Sequence, residues 1–168
     1  MAAACTLLEP QTVSPMMGKS LPREQMLKEP TVLLVEDSPS DARLWAEVFG
    51  ANGDLTLRVV PTGEMALDFV RRRPPFENEP SVDLVILDLG LHGASGFEVL
   101  KALKEGSSTA HIPVIVFTGL MSAASVKLAY ALHANSYICK PVTLDEFEHV
   151  VRLIRHFWID VVRLPRAS

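Results

Sequence analysis

Residues 81–88, Ser81-Val82-Asp83-Leu84-Val85-Ile86-Leu87-Asp88, are a short apolar run that stops on a carboxylate. The run is too short for a helix and rich in branched side chains, so it reads as a strand buried on both faces, as the centre of a parallel sheet requires. In open α/β sheets the reactive groups lie beyond the carboxyl ends of the strands. Asp88 stands at such an end. A glycine-rich loop carrying Gly90, Gly93 and Gly96 follows it, and then a helical pattern over 97–104.

The same unit recurs along the chain. Thr31-Val32-Leu33-Leu34-Val35 is a first strand ending in Glu36-Asp37, with Ser38 as the cap and Pro39 as the first residue of the next helix. Residues 55–60 alternate apolar and polar side chains, as an edge strand does, and end on Pro61. Thr62 caps a second helix, and a proline-rich loop over 73–80 leads into the central strand. Val114-Ile115-Val116-Phe117 ends on Thr118-Gly119, a helix spans 122–133, and Ser136-Tyr137-Ile138-Cys139 ends on Lys140-Pro141. Thr143 caps the last helix, with Glu146 three residues on. Five strands alternating with five helices specify a doubly wound α/β fold, and right-handed crossovers put all the strands' carboxyl ends on one edge. Glu36, Asp37, Asp88, Thr118 and Lys140 should therefore meet there.

Length and charge narrow the rest. A chain of 168 residues accommodates a folded unit over 30–164, a flexible N-terminal extension over 1–29 and a short tail over 165–168. Twenty acids against sixteen bases, a net charge of −4, give no electrostatic case for nucleic acid. No apolar run reaches the roughly 20 residues that span a bilayer, and the N-terminus lacks a basic leader, so the expected compartment is the cytoplasm. Cys5 and Cys139 lie too far apart in sequence to suggest a disulfide framework, and Cys139 is expected as a small buried residue.

Carboxylates crowded together raise one another's proton affinity unless a cation joins them. A set of hard oxygen donors with no histidine at ligand spacing favours Mg²⁺. Lys140 supplies a point charge and Thr118 a hydroxyl, both suited to phosphoryl oxygens, and an aspartate can itself be the phosphoryl-accepting nucleophile.

In order and spacing, Glu36-Asp37, Asp88, Thr118-Gly119 and Lys140-Pro141 resemble the receiver domains of two-component response regulators, over about residues 30–163. The resemblance implies a flavodoxin-like five-stranded parallel sheet of order 2-1-3-4-5. It implies that Asp88 is the phospho-acceptor, that Asp37, Asp88 and the Gly90 carbonyl bind Mg²⁺ and that Glu36 helps through water. Lys140 would pair with the Asp88 carboxylate, and Lys140-Pro141 would be a cis peptide. Thr118 and Tyr137 would be the switch residues, and the readout a changed surface on the fourth helix, fifth strand and fifth helix. More narrowly, the insert over 71–78, Ala134-Asn135-Ser136-Tyr137 and the tail over 157–165 are similar to stand-alone receivers that serve bacterial phytochromes. The partner so implied is a sensor histidine kinase, a phytochrome among the candidates. His92 and Ser95 depart from the pattern, standing where such domains commonly carry a proline and an acid. A loop without that proline should be more mobile.

On the last helix, Leu144, Phe147, Val151, Ile154, Trp158 and Val161 recur at helical spacing and should face the sheet. Val150, Leu153, Phe157 and Leu164 are left over as an apolar stripe, which is expected to form a homodimer surface. Two function classes follow: a phosphorylation-switched signalling module that acts on a downstream protein target, and a phosphorylation-independent adaptor or dimerisation module of the same fold. Neither is an enzyme on an external substrate. A phosphatase is the weaker reading, because no second acid stands two residues after Asp88.

Overall fold

The computed structural model describes residues 29–50, 53–93 and 95–165, so the expected N-terminal extension, apart from Glu29, lies outside the described residues. The elements run β1 Thr31–Val35, α1 Pro39–Phe49, β2 Thr56–Val60, α2 Gly63–Val70, β3 Leu84–Leu87, α3 Gly96–Glu105, β4 Val114–Thr118, α4 Ala123–Ala131, β5 Ser136–Cys139 and α5 Leu144–Arg155. A π-helical segment, His156–Val161, continues α5. All four strand pairings are parallel, in the order β2-β1-β3-β4-β5. The alternation of strands and helices leads to such a parallel sheet, and its order is the one that the resemblance to receiver domains implies. No helix among the described residues is long and apolar enough to cross a membrane.

Strand alternation divides the interior into two cores. Leu33, Val35, Val85, Leu87, Val114 and Val116 face one side, where Ala66 and Phe69 of α2 and Val99, Leu100 and Leu103 of α3 cover them. Val32, Leu34, Leu84, Ile86, Ile115 and Phe117 face the other, against Trp45 and Phe49 of α1 and Phe147, Val151 and Ile154 of α5. Trp45 joins the second core across three elements, its ring 5.1 Å from Phe117 and 6.3 Å from Phe147 in edge-on contacts. Such pairs are worth about 0.5–1.5 kcal/mol each beyond burial.

Each helix begins on a hydroxyl. Ser38, Thr62, Ser95, Ser122 and Thr143 accept from backbone N–H groups at the starts of α1 to α5. The start of α3 carries a full capping box in which Glu98 reaches back to the Ser95 N–H, worth about 1 kcal/mol by the usual cost of removing a cap. Gly96 fixes where α3 docks. A Cβ there would lie 2.6 Å from the Asp88 carbonyl oxygen and 2.5 Å from the Leu89 Cα, so only glycine lets α3 approach the acidic strand end this closely.

The structure corrects four expectations. Cys139 is exposed, because β5 is the edge of the sheet and its last residue faces out toward the Leu120 carbonyl. The Lys140-Pro141 bond is trans, and the cis bond among the described residues joins Pro74 to Pro75. Trans is the lower-energy isomer of an X-Pro bond, and with it the Lys140 N–H still bonds the Thr118 carbonyl at 2.8 Å. Beyond Arg155 the helix widens to i→i−5 bonding, seen in the 2.9 Å bond from Val162 N–H to the Phe157 carbonyl, and this shifts the phase of every later side chain. Val161 is thereby exposed and Ile159 packs on the second core, the reverse of a straight α-helical extrapolation; Leu144, in the first turn, is exposed too. For the same reason Leu164 packs on the chain's own second core; Val150, on the regular part of α5, is also partly buried against that core, so the outward stripe on the last helix reduces to Leu153 and Phe157.

Candidate functional site

The four expected strand ends converge. β1 delivers Glu36 and Asp37, β3 delivers Asp88, β4 ends on Thr118 and β5 is followed by Lys140. Backbone bonds hold them in place: Glu36 N–H donates to the Val60 carbonyl at 3.1 Å and Asp88 N–H to the Val35 carbonyl at 3.0 Å. Glu36 and Asp88 are buried and Thr118 is wholly so. Gly90 N–H donates to Asp88 Oδ1 at 2.8 Å, and Ser38 N–H to Glu36 Oε1 at 3.1 Å.

Lys140 is the hub. Its ammonium donates to Asp88 Oδ2 at 2.6 Å, Glu36 Oε2 at 2.8 Å and Asp41 Oδ2 at 2.9 Å. Burial disfavours that charge, but the bonds to Asp88, Glu36 and Asp41 outweigh it and hold Lys140 protonated well above the usual lysine range. Burial pushes the Glu36 carboxyl up, with Lys140 offsetting part of the shift. Burial opposes the charge on Asp37 as well, but bonds from the His92 ring and backbone overcome it and hold Asp37 below the usual aspartate range.

One ligand atom each from Glu36, Asp37 and Asp88 lies within 4.8 Å of the others. With Asp41 there are four carboxylates about one ammonium, an excess of negative charge in a set of hard oxygen donors. That donor set fits a hard divalent cation such as Mg²⁺ or Mn²⁺. Asp88 is buried just past the end of β3 and bonds Lys140, so a nucleophilic oxygen, a charge to neutralise developing anionic oxygens and cation ligands occupy one pocket.

The two expected switch residues meet through a third. The Thr118 hydroxyl accepts from Leu120 N–H at 3.4 Å, and the Tyr137 hydroxyl donates to the Leu120 carbonyl at 2.7 Å. Leu120 is thus held from both sides, by the residue at the acidic site and by the β5 aromatic ring that packs on the first core. The Leu120 side chain itself is 40% exposed.

Sequence reasoning missed Asp41 and the partner of His92. Asp41 lies on the first turn of α1, three residues after the Ser38 cap. His92 stood out in the sequence only as a departure from the usual loop pattern, with no partner assigned. Its backbone N–H donates to Asp37 Oδ2 at 2.9 Å and its Nδ1 bonds the same oxygen. The loop after β3 is therefore bonded at His92 to Asp37, just past the end of β1. Only the fold of the loop, in which Gly93 takes a φ of +95°, brings His92 over Asp37.

The sequence matches the family described as the response regulator receiver domain over residues 32–152. It is 36% identical over 137 residues to the response regulator Rcp1 of Synechocystis sp., covering 81% of this chain and 93% of that protein. The fold superposes on the Mn(2+)-bound form of Rcp1 with a TM-score of 0.79 and 36% identity, over 82% of this chain and 99% of that one. It superposes on the phosphorylated cyanobacterial phytochrome response regulator RcpA with a TM-score of 0.80 and 30% identity, over 83% and 100% of the two chains.

Proposed function

Because the chain belongs to the response regulator receiver family, we propose that it is a phosphorylation-switched signalling receiver that takes a phosphoryl group on Asp88 from a sensor histidine kinase, a phytochrome being the favoured type. The observation that carries this reading is the 2.6 Å bond between Lys140 and an Asp88 carboxylate flanked by Glu36 and Asp37. A carboxylate oxygen of Asp88 attacks phosphorus, the P–N bond to the kinase imidazole breaks, and its electron pair leaves with that nitrogen. Lys140 holds the acceptor in place and neutralises charge on the phosphoryl oxygens. Glu36, Asp37, Asp88 and the Gly90 carbonyl are the groups that would hold Mg²⁺, which supplies further neutralisation of the phosphoryl oxygens when bound. The chain acts on no external substrate and works in the cytoplasm.

Thr118 is the switch hydroxyl. When it turns to the new phosphoryl group it gives up Leu120 N–H, and Tyr137, bonded to the other side of Leu120, follows. The readout is the surface of α4, β5 and α5. There Leu128, Tyr130, Leu153 and Phe157 are exposed, and a groove lined by Ile138, Val150, Leu153 and Phe157 contains the unpartnered hydroxyl of Ser136. This surface pairs with a second copy of the chain and is read by a downstream protein.

Incubation with Mg²⁺ and a small acyl phosphate, followed by intact-mass measurement, tests the reading. One phosphoryl group should appear on the wild type, and none on Asp88→Asn or with the cation chelated. If neither the donor nor a cognate kinase adds mass, the phosphorylation-independent adaptor takes its place. Light scattering tests the dimer: a monomeric mass before and after phosphorylation would contradict it.

A further inference from the structure

The loop that follows Asp88 reaches Asp37 through His92. His92 places two donors, its backbone N–H at 2.9 Å and its ring Nδ1–H, on one oxygen of Asp37. A carboxylate brings no proton to this contact, so Nδ1 is the donor. Asp37 is also one of the three residues whose ligand atoms lie within 4.8 Å of one another. The same carboxylate thus serves both the imidazole and a bound cation.

Resting on the reading of Glu36, Asp37 and Asp88 as cation ligands, we propose that His92 is a positioning residue that competes with the divalent cation for Asp37 and so lowers the site's affinity. The two donors draw on the charge of the Asp37 carboxylate and fix its plane. A hard cation demands close, near-ideal oxygen geometry, so a carboxylate whose charge and plane the two donors hold must share that charge with them or turn away from them to bind it. Displacement is sterically free, because the His92 side chain is 97% exposed and leaves into solvent. The N–H edge of the ring also sets its positive end against a carboxylate that a cation would bind. Lys140 does not play this part: it bonds Glu36, Asp41 and Asp88 and leaves Asp37 to His92.

Calorimetric titration of the full chain with MgCl₂ and with MnCl₂ tests this without any phosphoryl transfer. His92→Ala removes the ring donor and keeps the backbone one, and should bind Mg²⁺ about tenfold more tightly, the order expected for the loss of one charge-assisted hydrogen bond. His92→Pro removes both donors and should bind more tightly still. The ring is exposed, so His92→Ala is expected to fold as the wild type does and decides the matter if His92→Pro does not. Equal affinity in His92→Ala and wild type would overturn the competition while leaving the cation site standing. Weaker binding in His92→Ala would overturn it in favour of His92 as a ligand. If neither protein binds either cation, the reading of the site falls and this inference falls with it.

Discussion

Lys140 Nζ sits 2.6 Å from Asp88 Oδ2, although the two residues follow strands that β4 separates. The lysine reaches across the end of β4, where Thr118 is fully buried, and in doing so touches Glu36 and Asp41 as well. One ammonium therefore ties the ends of β1, α1, β3 and β5 into a single electrostatic unit. The site is consequently part of what holds this edge of the sheet together.

Removing that ammonium leaves three carboxylates facing one another at the sheet edge. Lys140→Met should lower stability in urea at neutral pH by about 3 kcal/mol, the usual cost of stripping one partner from a largely buried ion pair. Millimolar Mg²⁺ should restore part of the loss in the variant. An unchanged urea midpoint without Mg²⁺ would show that the carboxylates do not depend on Lys140.

Glu36 and Asp37 oppose each other in their pH dependence. The folded state holds the Glu36 proton more tightly than the unfolded chain does, because burial disfavours the charge. Its contribution to stability is present below the ordinary carboxyl value of 4.5 and is lost as pH rises through the raised folded value. Glu36→Gln should therefore gain stability relative to wild type as pH rises through that window in chelator. Asp37 is lowered, so its contribution is present above the ordinary 3.8 and is lost as pH falls through the lowered value. Urea denaturation across the acid range, comparing Glu36→Gln and Asp37→Asn with wild type, separates the two by sign.

A single methyl at position 96 should disturb the acceptor. Because its Cβ would lie 2.6 Å from the Asp88 carbonyl oxygen, Gly96→Ala must push α3 away from the end of β3. Overpacking of this kind costs about 1–3 kcal/mol. The expected outcome is a lower melting temperature together with slower phosphorylation, measured by calorimetry and by intact-mass time courses. A variant with unchanged values of both would refute the close approach.

The end of α5 is fastened to the opposite end of the sheet by another buried cation. Arg155 donates to Asp54 Oδ1 at 2.6 Å, to the Phe49 carbonyl at 3.2 Å and to Asp160 Oδ1 at 3.3 Å, and Asp54 is held below the usual aspartate range chiefly by its bond to Arg155. Arg155→Ala should cost about 2 kcal/mol, less than a fully buried pair because Asp54 can be rehydrated. Hydrogen exchange of 156–162 should rise with it. Unchanged exchange there would mean that packing of Ile159 and Trp158, not the arginine, holds the π-helical segment.

The parallel sheet and the meeting of Glu36, Asp37, Asp88, Thr118 and Lys140 were legible because parallel α/β topology sends every strand end to one edge, so the residue type at each end is enough; the strand order followed only from the resemblance to receiver domains. Asp41 was hidden because its role depends on the distance Lys140 reaches, which no local pattern encodes. His92 was hidden because a loop with a left-handed glycine, not a helix or strand period, carries it to Asp37. The outward face of the last helix was misread beyond Arg155 because a π-helical turn changes the period on which such a reading depends. Cys139 was misplaced because an apolar strand of four residues does not reveal whether a neighbour covers its end.

The most direct test of the central claim is the position of the phosphoryl group itself. After phosphorylation in Mg²⁺, borohydride reduces an aspartyl phosphate to homoserine, which peptide mass spectrometry locates to a single residue. The account predicts homoserine at position 88 and at neither 37 nor 41. Homoserine at Asp37 or Asp41, or a stable phosphoryl group on a histidine with Asp88 unmodified, would contradict it.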